Sequence, residues 1–62
     1  MKIIFVKEYT DHKLMGVPMV IDMGQKGEVL DEEKGTVLLT EGMAWPIELS
    51  SVPSEYYVRL VS

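Results

Sequence analysis

The chain has 62 residues, enough for one small domain and no more. Its net charge of −4, with the six Lys and Arg residues scattered, argues against a nonspecific nucleic-acid binder and against an anionic membrane surface. It has no cysteine, so disulfides, thiolate zinc sites and cysteine nucleophiles are excluded.

A domain this short buries only about 60% of its unfolded-chain surface. Nearly every apolar residue is then needed for the core, and little remains to line a deep active-site pocket. The apolar run Ile3-Ile4-Phe5-Val6 is too short for a signal-peptide core or a membrane span. A cytoplasmic location is the expectation.

In chain order, residues 2–9 read as the first strand. The run Ile3-Ile4-Phe5-Val6 is β-branched and aromatic, as expected where both faces are partly covered. Residues 10–13 read as a loop that carries His12, the chain's one histidine and a poor general base without a partner. Residues 14–23 read as a long irregular arm with a short strand near residues 19–21. Met15, Met19 and Met23 recur at helical spacing, but Gly16 and Pro18 break a helix there. Those methionines serve either as core filler or as an adaptable binding surface.

The next stretch organises the chain. Glu28-Val29-Leu30 and Val37-Leu38-Leu39 read as two strands of a hairpin, joined by Asp31-Glu32-Glu33-Lys34-Gly35. Gly35 supplies the positive φ that such a loop needs. Gly24 and Gly27 in front suit a sharp turn in which the backbone passes close to itself. They do not make a phosphate loop, because no helix start and no Gly-Lys-Ser/Thr follows.

Thr40-Glu41-Gly42 reads as a turn and residues 43–49 as a further strand. Pro46 lacks a backbone donor, so that strand belongs at an edge or carries a bulge; the isomer of the Trp45-Pro46 bond stays open. Residues 50–55 read as a tight 3-10 turn, and residues 56–61 as the last strand. About five strands with no room for a crossover helix must pair antiparallel. Closing on themselves, they would form one small all-β barrel over residues 1–62.

That order resembles the SH3-like barrel superfamily. Val52-Pro53-Ser54-Glu55-Tyr56 followed by Tyr57-Val58-Arg59-Leu60 is similar to the Val/Ile-Pro-Ser-x-Tyr turn before the last strand of SH3 domains. Phe5-Val6-Lys7-Glu8-Tyr9 loosely resembles the family's Ala-Leu-Tyr-Asp-Tyr opening, with Lys7 in place of its first tyrosine. Lys26-Gly27-Glu28-Val29-Leu30 is similar to the Lys-Gly-Asp segment that enters the second strand. Gly24-x-x-Gly27-x-Val29 looks like the glycine turn of KOW-type and other small bacterial and phage SH3-like barrels. The family's tryptophan at the start of the third strand is missing, since Thr36 and Val37 lie there and Trp45 comes later. The resemblance implies a five-stranded antiparallel SH3-like barrel with a 3-10 turn before the last strand. Of the polyproline groove it leaves Pro53 and Tyr56, with Tyr9 as a further candidate.

No residue set reads as an enzyme. Ser50, Ser51 and Ser54 cluster, but His12 is their one imidazole partner and has no motif around it. Glu28, Asp31, Glu32 and Glu33 surround the hairpin without the spacing of an EF-hand loop. No metal or cofactor is expected. Tyr9, Trp45, Pro53, Tyr56 and Tyr57 are the candidate contact face, since aromatics with a polar tip favour interfaces. Core filling competes for the same side chains. The function expected is a non-enzymatic protein-interaction module that docks a protein or peptide through the aromatic face or a basic patch through the acidic hairpin, or adds a strand at the Pro46 edge. An accessory or inhibitor protein of a bacterium or phage fits by analogy. The alternative, implied by the KOW resemblance, is a nucleic-acid or ribosome-associated binding protein, which the net charge opposes.

Overall fold

A computed structural model of the chain describes residues 1–12 and 18–61. Among them lie strands β1 (Lys2–Phe5), β2 (Tyr9–Asp11), β3 (Met19–Ile21), β4 (Lys26–Asp31), β5 (Thr36–Leu39), β6 (Ile47–Leu49) and β7 (Tyr57–Arg59). A 3-10 turn, Ser54–Tyr56, precedes β7, and it is the one helical element among the described residues. The part of the 14–23 arm at residues 14–17, with Met15, lies outside them.

The strands form a five-stranded sheet in the order β6-β5-β4-β1-β7, and β2 and β3 form a separate two-stranded ribbon. Every pairing is antiparallel, as the short turns require for β4, β5 and β6. The ladder ends at β6 on one side and β7 on the other, so hydrogen bonds do not close it into a ring among the described residues.

Alternation places the core. In β1, Ile3 and Phe5 are fully buried and Ile4 is half-buried, so the apolar run does have both faces partly covered. Val37 and Leu39 of β5, Leu49 of β6 and Ile21 of β3 add fully buried side chains. Each buried aliphatic or phenyl side chain contributes about 1.5–3 kcal/mol relative to exposure.

The β4–β5 hairpin forms as the glycines and β-prone runs dictate, with an irregular register between Val29 and Asp31. Gly35 adopts φ +68°. The Asp31 carboxylate closes the turn by accepting from the Lys34 backbone N–H at 3.1 Å. In front, Gly24 takes φ +96° and its N–H donates to the Phe5 carbonyl at 2.8 Å. Gly27 serves close approach instead. A Cβ there would lie 2.9 Å from Leu39 Cδ2 and 3.2 Å from the Leu38 carbonyl oxygen.

Several expectations need correction. The first strand does not run on to Tyr9. It stops at Phe5, the exposed residues Val6, Lys7 and Glu8 bend away, and a new strand starts at Tyr9. Thr10 and Asp11 are therefore strand rather than loop, paired with Val20 and Met19. The strand expected over residues 43–49 shrinks to Ile47–Leu49. Gly42 at φ +77° turns the chain, and the missing donor at Pro46 keeps the ladder from starting earlier. That strand does lie at a sheet edge, and no cis peptide bond occurs among the described residues, Trp45-Pro46 included. The 3-10 turn occupies Ser54–Tyr56 rather than residues 50–55, and because Tyr56 closes it the last strand, Tyr57–Arg59, is shorter than residues 56–61. Beyond β7, the Leu60 N–H still reaches the Lys2 carbonyl at 2.8 Å.

Candidate functional site

Tyr9 begins β2 directly after the bend and points into the core, 8% exposed. Tyr56 ends the 3-10 turn and is half-buried. The two rings meet in a T-shaped contact, centroids 5.0 Å apart and planes at 68°. Such pairs contribute about 0.5–1.5 kcal/mol beyond area burial. Phe5 backs Tyr9 at 6.3 Å and Tyr57 at 6.0 Å. The result is a buried aromatic column with Tyr56 as its partly exposed end.

The chain holds that end in place from two sides. The Val6 N–H donates to the Tyr56 carbonyl at 2.9 Å, tying the 3-10 turn to the bend after β1. The Tyr56 N–H donates to the Pro53 carbonyl at 3.2 Å. Pro53 is exposed beside it, with φ −63°. Lys7, in the bend, reaches back over the Tyr56 ring, its Nζ 5.8 Å from the centroid. The same Nζ lies 3.8 Å from Glu55 Oε2.

The candidate residues fall in different places. Tyr57 is buried at 9% exposure and belongs to the core, as Tyr9 does. Trp45 is 65% exposed, in the turn between β5 and β6. That turn and the acidic turn lie at opposite ends of β5, and no ring contact joins Trp45 to a tyrosine among the described residues. The acidic residues also divide. Glu28 sits across from Lys2 in the β1–β4 ladder, beside a shallow cavity of about 220 Å³ that Lys26 and Glu41 also line. Asp31 is engaged in its own turn. Glu32 and Glu33 are exposed at the tip.

The acidic turn is nonetheless coupled to the approach to Pro53. The Ser51 N–H donates to the Lys34 carbonyl at 3.1 Å and the Val52 N–H to the Gly35 carbonyl at 3.0 Å. Glu32 and Glu33 are thereby carried next to the segment that leads into the 3-10 turn. Ser51, with φ +56°, is the one non-glycine residue at positive φ among the described residues.

His12 is exposed. Among the described residues no group of three or more His, Asp or Glu side chains is placed to hold a metal ion. No buried side-chain nitrogen or oxygen among them is left without a partner.

Burial raises the Tyr9 hydroxyl above the ordinary tyrosine value of 10.0, and the nearby Asp11 and Tyr56 add to the rise. The unfolded chain then loses that proton before the folded one does. The stability attached to it is complete below pH 10.0 and falls as pH rises through the folded value. Urea titrations at pH 8 and above pH 10 should show the loss, and Tyr9→Phe should flatten it.

Lys7 and Glu55 were not singled out by sequence as contact residues. Lys7 lies in the segment that resembles the SH3 opening, in a tyrosine's place, and Glu55 lies in the segment that resembles the Val/Ile-Pro-Ser-x-Tyr turn. No protein family, curated protein or solved structure matches the chain.

Proposed function

We propose that this chain is a non-enzymatic protein-interaction module of the SH3-like barrel type. It docks a protein or peptide segment on Tyr56 and Pro53, with the buried Tyr9 ring behind Tyr56 and the acidic turn alongside. One observation carries the reading. Tyr56 is a partly exposed ring braced at 5.0 Å by a buried tyrosine and tied through its backbone to the bend after β1. A rigid aromatic with one open side gives contact area at small cost in conformational entropy.

The SH3-like assignment is supported by the strand order and by the 3-10 turn that enters β7 directly after Val52-Pro53. Lys7 takes a tyrosine's place on this face, so the polyproline groove of SH3 domains is incomplete and PxxP segments are not its ligands. Glu32 and Glu33 favour a partner with a basic surface, and encounter would slow as salt rises. An accessory or inhibitor protein that works by covering its partner's surface is the simplest role for such a module.

Capture of a partner from cell lysate tests this, with every variant first shown folded by circular dichroism. Tyr56→Ala and the pair Glu32→Lys with Glu33→Lys should each lose the partner retained by wild type. Retention by both would overturn the proposal. Loss on Trp45→Ala alone would move the contact to the opposite end of β5. Low-salt binding of a labelled oligonucleotide would favour the nucleic-acid alternative.

A further inference from the structure

Lys7 is placed as a ligand would be. Its ammonium lies over the Tyr56 ring at 5.8 Å, inside the reach of about 6 Å at which the ring's negative face attracts a cation. The same ammonium is 3.8 Å from Glu55 Oε2. Tyr56 and Glu55 are consecutive, so the 3-10 turn presents ring and carboxylate together.

The occupant is weakly held. The Lys7 and Glu55 side chains are 56% and 67% exposed. An ion pair that open is screened by water and stabilises little, and an exposed cation–ring contact adds only a little more. Lys7 also has a flexible stem and sits in a bend of exposed residues. It would swing into water at little cost.

We propose that Tyr56 and Glu55 form a seat for an arginine side chain of the partner, and that Lys7 is its removable internal occupant. The inference rests on the reading of this face as a docking surface. A guanidinium suits the seat better than the resident ammonium does. It is planar, so it stacks on the ring while its fork meets both carboxylate oxygens. It is also less strongly hydrated, so it gives up less on leaving water. An incoming cation is also favoured by the net charge of −4 on the chain. Lys7 then acts as a threshold. A neutral segment gains nothing from displacing it, whereas an arginine replaces every contact that Lys7 gives up.

The test is a titration of the isotope-labelled protein with N-acetyl-arginine methylamide, followed by NMR, with the glutamine analogue as control. Shift changes should centre on Glu55, Tyr56 and Tyr9. Lys7→Met keeps an apolar stem and empties the seat, so it should bind the probe about two- to fivefold more tightly. Tyr56→Phe should retain binding, and Glu55→Gln should weaken it. Lys7 and Glu55 are exposed, so neither change threatens the fold. Unchanged or weaker binding in Lys7→Met would overturn the proposal, as would shifts confined to residues 31–34. A partner segment that lacks arginine yet depends on Tyr56 would remove the seat and leave the docking face standing.

Discussion

Gly35→Ala is expected to cost roughly 2–5 kcal/mol, from left-handed backbone strain plus a clash that has no side chain to absorb it. Gly35 sits at φ +68°, and a Cβ there would lie 2.8 Å from both the backbone nitrogen and the carbonyl oxygen of Val52. Backbone cannot rotate away as a side-chain tip can. The two hydrogen bonds from Ser51 and Val52 to the 34–35 turn would have to lengthen or break. A domain of this size has a total stability of roughly 3–9 kcal/mol, so the variant would be largely unfolded or have a Tm at least ~10 °C lower. Gly24→Ala is the control. Gly24 has φ +96°, but nothing lies within 4 Å of its added Cβ, so only the conformational strain of about 1–2 kcal/mol applies. Urea unfolding of both variants measures the difference. Equal losses would mean that the approach of Gly35 to Val52 does not constrain the fold.

Phe5→Ala is the second large effect, about 3–5 kcal/mol. Phe5 is 1% exposed and touches both Tyr9 and Tyr57. Its removal leaves a hole under the ring that braces Tyr56. Phe5→Leu keeps most of the volume and should cost less than about 1.5 kcal/mol. The milder variant is the informative one, because it stays folded while Tyr9 loses an aromatic neighbour. Its partner affinity should fall although no contact residue has changed. Full affinity in a folded Phe5→Leu variant would show that the column behind Tyr56 does not position it.

The hairpin was legible because its signals are local. Glycines sit where φ must be positive, and β-prone runs flank one polar turn. The short strand at residues 19–21, the 3-10 turn and the edge position after Pro46 were legible for the same reason. β2 was not. Thr10 and Asp11 look like loop residues, and Asp11 is buried at 1% exposure all the same. A polar side chain goes inside only where partners meet it, and those partners are set by the tertiary fold. The bend at residues 6–8 was hidden by the continuous apolar run before it. Sequence could nominate Tyr9, Tyr56, Tyr57 and Trp45 but could not sort core from surface among them. That sorting depends on which strand face each occupies, and a shift of one residue reverses it. The contact of Lys7 with Tyr56 joins two ends of the chain, beyond the range of any local pattern.

The pairing of β1 with β7 brings Ile3 opposite Arg59, which has a kinetic corollary. The meander β4-β5-β6 closes through short turns and can zip early, whereas β7 must wait for almost the entire polypeptide to loop back. Until it arrives, one flank of β1 stays open, and Ile3 and Phe5 are available to neighbouring molecules. Aggregation is therefore expected to be greatest in the interval before β7 docks, and the proposed contact surface on Tyr56 requires that docking.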